Sequence, residues 1–406
     1  MNTSDKVILR DLTQRYLDIC RKDVQQERRA LWRRHNSLKR NRPLIYIRAF
    51  AFDELPQSRC VCQDPFFHDY EHSFRYLLFW DSLNDDSIFE PWITVNAIHR
   101  CAGWGVDIPR RVSDDPRGSF KIDYPIKQLE DIEKLCAPRH EIDEAATAER
   151  LARLQEAIGD LITINVDRAP SYRMWTGDIS TNLGHLRGME HIMMDMLDHP
   201  EWLHRLVAFM RDGILRTHEQ AEAAGDWGLG AHQNQAMPYA GELRDPAANV
   251  NGVQRKELWA FMAAQEFTCV SPEMHNEFLL QYQLPILKAF GLVAYGCCED
   301  LTRKIDILRQ IPNLRRIAVS PFADVARCAE QIGADYILSY RPSPTDMVGY
   351  DFNPDRIRRI LRHDLEACRN CHVDITLKDV ETVQDDPDRV RRWVALTREV
   401  IDSVWH

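Results

Sequence analysis

The stretch LVAYGCC at residues 292–298 is a short apolar run that ends in a glycine and two cysteines. A helical segment follows it, and three further apolar runs then alternate with helical segments: RIAVS (316–320), YILSY (336–340) and HVDITLK (372–378). Short apolar runs that alternate with helices of roughly 10–15 residues are typical of βαβ units and a parallel sheet. This part of the sequence therefore predicts an α/β fold.

The same alternation extends back to the first strand. The full set of eight candidate strands is Leu44–Phe50, Ile88–Asn96, Leu161–Asp167, Trp227–Gln233, Leu292–Cys298, Arg316–Ser320, Tyr336–Tyr340 and His372–Lys378. Eight βα units favour a closed (β/α)₈ TIM barrel. An open doubly wound sheet is the alternative, but it usually carries a glycine-rich turn after its first strand, whereas residues 51–54 here read AFDE.

Hydrophobic periodicity also indicates how the chain is organised. Residues 1–40 read as an N-terminal helical extension, and residues 41–406 as the barrel. Two helical insertions are expected in the barrel, at about 51–87 and 168–226. Neither has the composition of a separate domain.

Composition excludes several classes of protein. The 406-residue chain has a formal net charge of −10, which argues against nucleic-acid binding because phosphate recognition needs an excess of basic side chains. No apolar run approaches the ~18 residues of a membrane span, and the polar start of the chain does not read as a signal peptide. We therefore expect a cytoplasmic protein, whose 11 cysteines are thiols or metal ligands rather than a disulfide framework.

The cysteine pair after the 292–298 run is the most informative candidate site. Barrel enzymes draw their catalytic groups from the carboxyl ends of the strands, and Cys297, Cys298 and Glu299 fall at such an end. Thiolate and carboxylate are zinc ligands, so Cys298 and Glu299 are candidate metal ligands. Two buried cysteines that serve only as small apolar side chains are the alternative.

Other predicted strand ends carry polar candidates. His232 is a candidate metal ligand or general acid or base, and Gln233 and Asn234 can orient a substrate; a plain polar turn is the alternative. Asp379 is a further catalytic candidate unless it only pairs with Lys378. The remaining candidates are Arg341, as a catalytic group that holds a substrate carboxylate, and Arg48 and Tyr295 as substrate-binding residues.

Several segments together resemble the uroporphyrinogen decarboxylase-like superfamily. They are the run VSPEMHNEF at 270–278 with Tyr282 and Pro285, the stretch 291–300, the following βα unit at 305–333, and the Asn41-Arg42-Pro43 entry to the first strand. This resemblance covers most of the chain from about residue 40. It implies a barrel whose active site lies at the strand ends, as in the cobalamin and coenzyme M methyltransferases.

The chain also departs from that family at defined places. Zinc-binding members carry His-x-Cys where this chain has Tyr295-Gly296-Cys297, and their late cysteine falls near residues 377–379, where this chain has none. A site built from Cys298 with Glu299, His232 or Asp379 remains the alternative. The decarboxylase signature R-Q-A-G-R is replaced here by RAFAF at 48–52.

Three functional hypotheses follow from the resemblance and the candidate residues. The first is the methyltransferase component of a corrinoid-dependent system, which moves a methyl group from a small substrate, such as an aryl methyl ether in O-demethylation, to a separate corrinoid protein. It implies zinc as a candidate cofactor and leaves room for a homodimer. The second is a decarboxylase or lyase that holds carboxylates with Arg48 and Arg341, and the third is a non-catalytic ligand-binding barrel.

Overall fold

The computed structural model describes residues 3–48, 50–101, 103–114 and 118–405. They form a mixed α/β fold. The strands are β1 Leu44–Ile47, β2 Trp92–Asn96, β3 Arg110–Val112, β4 Phe120–Ile122, β5 Thr163–Asp167, β6 Trp259–Met262, β7 Leu292–Tyr295, β8 Leu314–Val319, β9 Ile337–Tyr340 and β10 His372–Leu377. The helices are α1 Thr3–Cys20, α2 Val24–Asn36, α3 Pro65–Asp81, α4 Glu144–Ile158, α5 Ile179–Leu186, α6 Met189–Asp198, α7 Pro200–Ala224, α8 Pro272–His275, α9 Gln281–Leu287, α10 Ile305–Leu308, α11 Val325–Ile332, α12 Pro354–Ala367 and α13 Arg389–Val404.

Six strands form one parallel sheet in the order β1-β10-β9-β8-β7-β6. A second parallel ladder joins β2 to β5, and β3 and β4 form a small antiparallel pair. The strands of the large sheet are almost entirely buried, as in parallel sheets that helices cover on both faces. The parallel α/β fold predicted from the sequence is confirmed.

Irregular segments occupy the two edges where the parallel ladders stop. At the free edge of β1, the carboxylates of Asp86 and Asp85 accept the N–H groups of Ile45 and Ile47, each at 2.8 Å. Between β5 and β6, the N–H of Gln233 donates to the carbonyl of Trp259 at 3.2 Å. In the described ranges the eight parallel strands therefore form two ladders, and closure into one barrel stays a prediction.

One predicted strand is wrong, and three observed strands, β3, β4 and β6, were not predicted. Residues 227–233 do not form a strand; Gly228 makes only an isolated bridge to Asn251, and a Cβ on it would lie 2.5 Å from Asn251 Oδ1. The glycines and polar side chains of this segment favour irregular backbone. β6 shows no period-2 alternation in sequence, because its four residues are all buried and apolar.

The predicted N-terminal extension is helical. Its residues 1–2 lie outside the described part of the chain, and α1 and α2 occupy most of the remainder. The first predicted insertion contains α3 and the second contains α5 to α7. Within the described residues, every helix is too short or too polar to cross a membrane.

Candidate active site at the carboxyl ends of the strands

The parallel sheet brings three of the candidate side chains and Lys378 to the same edge. Cys298 follows β7, Arg341 follows β9, Lys378 follows β10 and Arg48 follows β1. Since β1, β10 and β9 are neighbours, their carboxyl ends are adjacent. The edge therefore combines a thiol with three cationic side chains.

Cys297, Cys298, Lys378 and Asp379 form what we call the thiol cluster. The ammonium of Lys378 donates to Cys298 Sγ at 2.9 Å and also contacts the carboxylate of Asp379. The two sulfur atoms are 3.5 Å apart, and Cys298 Sγ lies 3.8 Å from Asp379 Oδ2. Lys378 is 6% exposed and Asp379 56% exposed, so the cluster opens to solvent through the carboxylate.

The environment shifts the pKa values of the two thiols in opposite directions. The hydrogen bond from Cys297, together with the ammonium of Lys378, lowers the pKa of Cys298 from 9.0 to about 6, although burial acts in the opposite direction. Its hydrogen bond to Cys298, together with burial, raises the pKa of Cys297 well above its usual range. Burial opposes the charge of Lys378, but the thiols and Asp379 outweigh it and raise the pKa of this ammonium. The environment of the cluster therefore favours the thiolate form of Cys298 and the ammonium form of Lys378.

Arg48 and Arg341, the arginine pair, converge on one neutral acceptor. Both donate to Gln235 Oε1, at 2.6 Å from Arg48 and 3.2 Å from Arg341. Arg341 also donates to the carbonyl of Cys297 at 2.7 Å, while its Nε has no hydrogen-bond partner among the described residues. The guanidinium of Arg48 lies 5.4 Å from the ring centroid of Trp175. Guanidinium groups that share a neutral oxygen are suited to bind an anion in its place.

Glu299 lies next to the thiol cluster but is engaged elsewhere. Its two carboxylate oxygens accept the N–H groups of Ala264 at 2.7 Å and of Cys297 at 2.8 Å, and its side chain is buried. It therefore ties the loop after β7 to the end of β6. The structure does not place Glu299 as a ligand beside Cys298.

His232 is also separate from the thiol cluster. Its Nδ1 accepts the N–H of Trp259, the first residue of β6, at 3.3 Å. Burial lowers the pKa of His232 to about 4, so its ring is neutral. The predicted strand Trp227–Gln233, which would have placed His232 at a strand end, is absent, and His232 instead bonds the backbone of β6.

The amides next to His232 brace local backbone. Gln233 Oε1 accepts the N–H of Met174 at 2.7 Å, and Asn234 donates to the carbonyl of Met237 at 3.1 Å. Gln233 lines a cavity of about 490 Å³ at the carboxyl ends of β2 and β5, together with His99 and Arg173. Gln233 is thus at a strand-end cavity, and Asn234 is in a buried turn.

Tyr295 is buried in the core rather than at the open edge. Its hydroxyl donates to Gln283 Oε1 at 2.6 Å and lies 2.9 Å from His275 Nε2. The residue is 1% exposed. Its position within β7 turns its side chain away from the cluster that Cys298 joins.

The predicted zinc ligands do not come together. Over the ranges that the structure describes, no group of three or more His, Cys, Asp or Glu side chains is arranged to hold a metal ion. Cys298 instead contacts an ammonium, and each carboxylate oxygen of Glu299 accepts a backbone N–H group. The donor set therefore does not fit a tetrahedral zinc site.

Three residues of the site were not identified from sequence. The sequence indicates Lys378 only as a partner of Asp379. Gln235 ends the polar run that contains His232 and has no role of its own there, and Trp175 lies in a segment without a pattern that indicates function. The available signal was the place of Lys378, directly after the last strand. Trp175 packs on Phe261 beside the two cysteines, at a ring distance of 4.6 Å, and so forms the apolar side of the site.

Comparison with known proteins supports the fold. The structure is similar to a methyltransferase from Methanosarcina mazei, with a TM-score of 0.54 and 11% sequence identity, over 91% of this chain and 97% of that chain. No protein-family model matches the sequence, and no curated protein matches it. At this identity the likeness extends to the fold alone.

Proposed function

We propose that the chain is a methyltransferase of the uroporphyrinogen decarboxylase-like barrel superfamily and the methyl-transferring component of a corrinoid-dependent system. It would transfer a methyl group from a small methylated substrate, such as an aryl methyl ether, to Co(I) of a separate corrinoid protein. The observation that carries the proposal is the position of Lys378 Nζ, which contacts both Cys298 and Asp379 at the carboxyl end of β10. The fold likeness to a methyltransferase supports it.

The chemistry needs an acid more than a base. When a methyl group leaves an ether, the oxygen retains the bonding electron pair and requires a proton. The ammonium of Lys378 can donate that proton, and the solvent-exposed Asp379 can return one afterwards. Trp175 and Phe261 provide an apolar surface against which an aromatic ring can pack. Co(I), carried by the partner, would supply the nucleophile.

The test uses free cob(I)alamin as the methyl acceptor and a panel of aryl methyl ethers as donors. We expect loss of the Co(I) absorbance and formation of methyl-Co(III) with the wild-type protein. Lys378→Met should slow the reaction by about 10²–10⁴-fold, the usual contribution of a general acid. The control is Lys288→Met, because Lys288 is exposed on the surface. Equal rates in the two variants, or no reaction with any donor, would contradict the proposal.

A second candidate function is supported by the arginine pair. Two guanidinium groups on one amide oxygen suit a substrate carboxylate, as a decarboxylase or lyase requires. In that case the protein should release CO₂ from small carboxylic acids and leave cob(I)alamin unmethylated. Arg48→Met should abolish that release, whereas an ether demethylase would retain most of its rate with an uncharged donor.

A further inference from the structure

The arginine pair lies next to the thiol cluster and carries positive charge. Among the described residues, neither Arg48 nor Arg341 forms an ion pair with a carboxylate; both turn to the amide of Gln235. Asp379 is the carboxylate of the thiol cluster, and it already forms an ion pair with Lys378. We propose that Cys298 is a nucleophilic thiolate that accepts an alkyl group from a carbon electrophile bearing a carboxylate.

Geometry makes Cys298 the reactive member of the pair. Its sulfur receives the ammonium of Lys378 at 2.9 Å, and the thiol of Cys297 lies at 3.5 Å. A cation in direct contact favours the thiolate, which is the nucleophilic form of cysteine. Cys298 is half-buried, whereas Cys297 is 3% exposed. A reagent can therefore reach Cys298 and not its neighbour.

The arginine pair sets the charge of the electrophile. Arg341 bonds the carbonyl of Cys297, which precedes Cys298 directly, and Arg48 meets Arg341 at Gln235 Oε1. A carboxylate that displaced the Gln235 amide would gain two guanidinium groups as donors. A neutral electrophile would gain no such attraction.

The reaction balances without a metal ion or an oxidant. The sulfur electron pair of Cys298 forms the S–C bond, and the bond from that carbon to the leaving group breaks. The leaving group departs with the bonding pair. An oxygen leaving group takes a proton from Lys378, which regains one from water, while a halide needs none.

The test compares iodoacetate with iodoacetamide, which have similar shapes and differ in charge. Peptide mass spectrometry of the full chain at pH 7 gives the alkylation rate of each cysteine. We expect iodoacetate to modify Cys298 faster than iodoacetamide does. The exposed Cys136 and Cys269 serve as internal controls, at which the neutral reagent should react faster.

Variants of Lys378 and Arg48 test separately the reactivity of Cys298 and its preference for a negatively charged reagent. Lys378→Met should slow the alkylation of Cys298 by about tenfold or more, because an ordinary thiol is only a few per cent thiolate at pH 7. Lys378→Arg keeps the positive charge and should retain much of the alkylation rate of Cys298. This variant therefore distinguishes loss of the charge from a defect in folding. Arg48→Met should remove the preference for iodoacetate while Cys298 remains reactive to iodoacetamide.

Two results would overturn the inference. One is a Cys298 that reacts no faster than Cys136 with either reagent, and the other is an unchanged preference in Arg48→Met. Because the assay contains no corrinoid and no methyl ether, it is independent of the proposed methyl transfer. If the protein methylates cob(I)alamin but Cys298 is not alkylated, the nucleophilic role of Cys298 is contradicted and the proposed methyl transfer is not.

Discussion

Two charged side chains, one within β10 and one just after it, lie in very different environments. Asp374 lies in β10 and Lys378 just beyond its end. Asp374 is fully buried, whereas the cluster of Lys378 opens to solvent through Asp379, which is 56% exposed. In barrel-like folds, the amino-terminal side of the strands serves stability and the carboxyl side serves chemistry.

The Asp374 end is a closed network of buried polar side chains. Asp374 pairs with Arg316 of β8, accepts the ring N–H of His35 at 3.0 Å and accepts the hydroxyl of Ser339 at 2.8 Å. Arg316 in turn donates to Asn36 Oδ1 at 2.9 Å. Since His35 and Asn36 end α2, the network fastens the N-terminal helices to the sheet.

The largest expected effect is on stability at this closed end. Asp374→Asn keeps the shape but leaves the guanidinium of Arg316 buried without a counter-charge. Loss of one partner of a buried ion pair costs about 3–5 kcal/mol in the free energy of unfolding. Urea denaturation measures it. Asp379→Asn, at the open end, should change that free energy by less than about 1 kcal/mol, as for exposed ion pairs. Similar losses in the two variants would remove the contrast between the ends.

Acid should weaken the closed end in a defined pH window. Burial alone would raise the pKa of Asp374, but Arg316 and His35 overcome it and hold the pKa well below its usual range. A depressed folded-state pKa contributes stability that is complete above the unfolded value of about 3.9 and is lost as the pH falls below it. Burial also lowers the pKa of His35, which adds to the loss of stability in acid.

We therefore expect the wild-type unfolding free energy to fall between about pH 4 and pH 2 more steeply than that of Asp374→Asn. Urea titrations across that pH range measure the slopes. Parallel slopes for the two proteins would show that Asp374 does not carry the acid sensitivity.

A smaller effect is expected at Glu299, which joins the ends of two strands. Glu299→Gln replaces one carboxylate oxygen that accepts a backbone N–H with an amide donor, so one of Ala264 or Cys297 loses its partner. The cost should be about 1–3 kcal/mol. Thermal denaturation against the exposed Glu149→Gln measures it. An unchanged Tm would mean that the loop after β7 does not depend on this carboxylate.

The smallest effect is expected at Tyr295. Tyr295→Phe removes a buried hydroxyl that Gln283 and His275 contact, at a net cost of about 1 kcal/mol. Methyl-transfer activity should be unchanged, because the hydroxyl lies in the core. Tyr350→Phe, at an exposed position, is the matched control. A selective loss of activity in Tyr295→Phe would assign this residue to substrate binding, as the sequence suggested.

The sequence predicted the fold better than the details of the sheet. Apolar runs between helices located β1, β2, β5 and β7 to β10, because each is bounded by turn residues or a helix. Residues 227–233 were misassigned and β6 was missed, since a four-residue apolar run does not reveal whether it is a strand. Pairing across the sheet edges depends on tertiary contacts, such as those of Asp85 and Asp86, that no local pattern encodes.

The candidate site was predictable where it depended on strand ends. Cys298, Asp379, Arg341 and Arg48 follow strands and lie at one edge, as expected from their positions. The contact of Cys298 with Lys378 was not predictable, because it depends on which side chains meet across the ends of β7 and β10. His232 was expected at this edge because its segment was assigned to a strand that does not form.

Lys378 is proposed to act in the reaction, whereas Asp374 stabilises the fold. Measuring Tm and the rate of cob(I)alamin methylation per folded molecule, for Lys378→Met and Asp374→Asn side by side, separates the two roles. We predict that Lys378→Met keeps the wild-type Tm and loses nearly all methyl transfer, whereas Asp374→Asn melts at a lower temperature and keeps the wild-type rate while folded. A Lys378→Met protein that is destabilised and fully active would contradict the account.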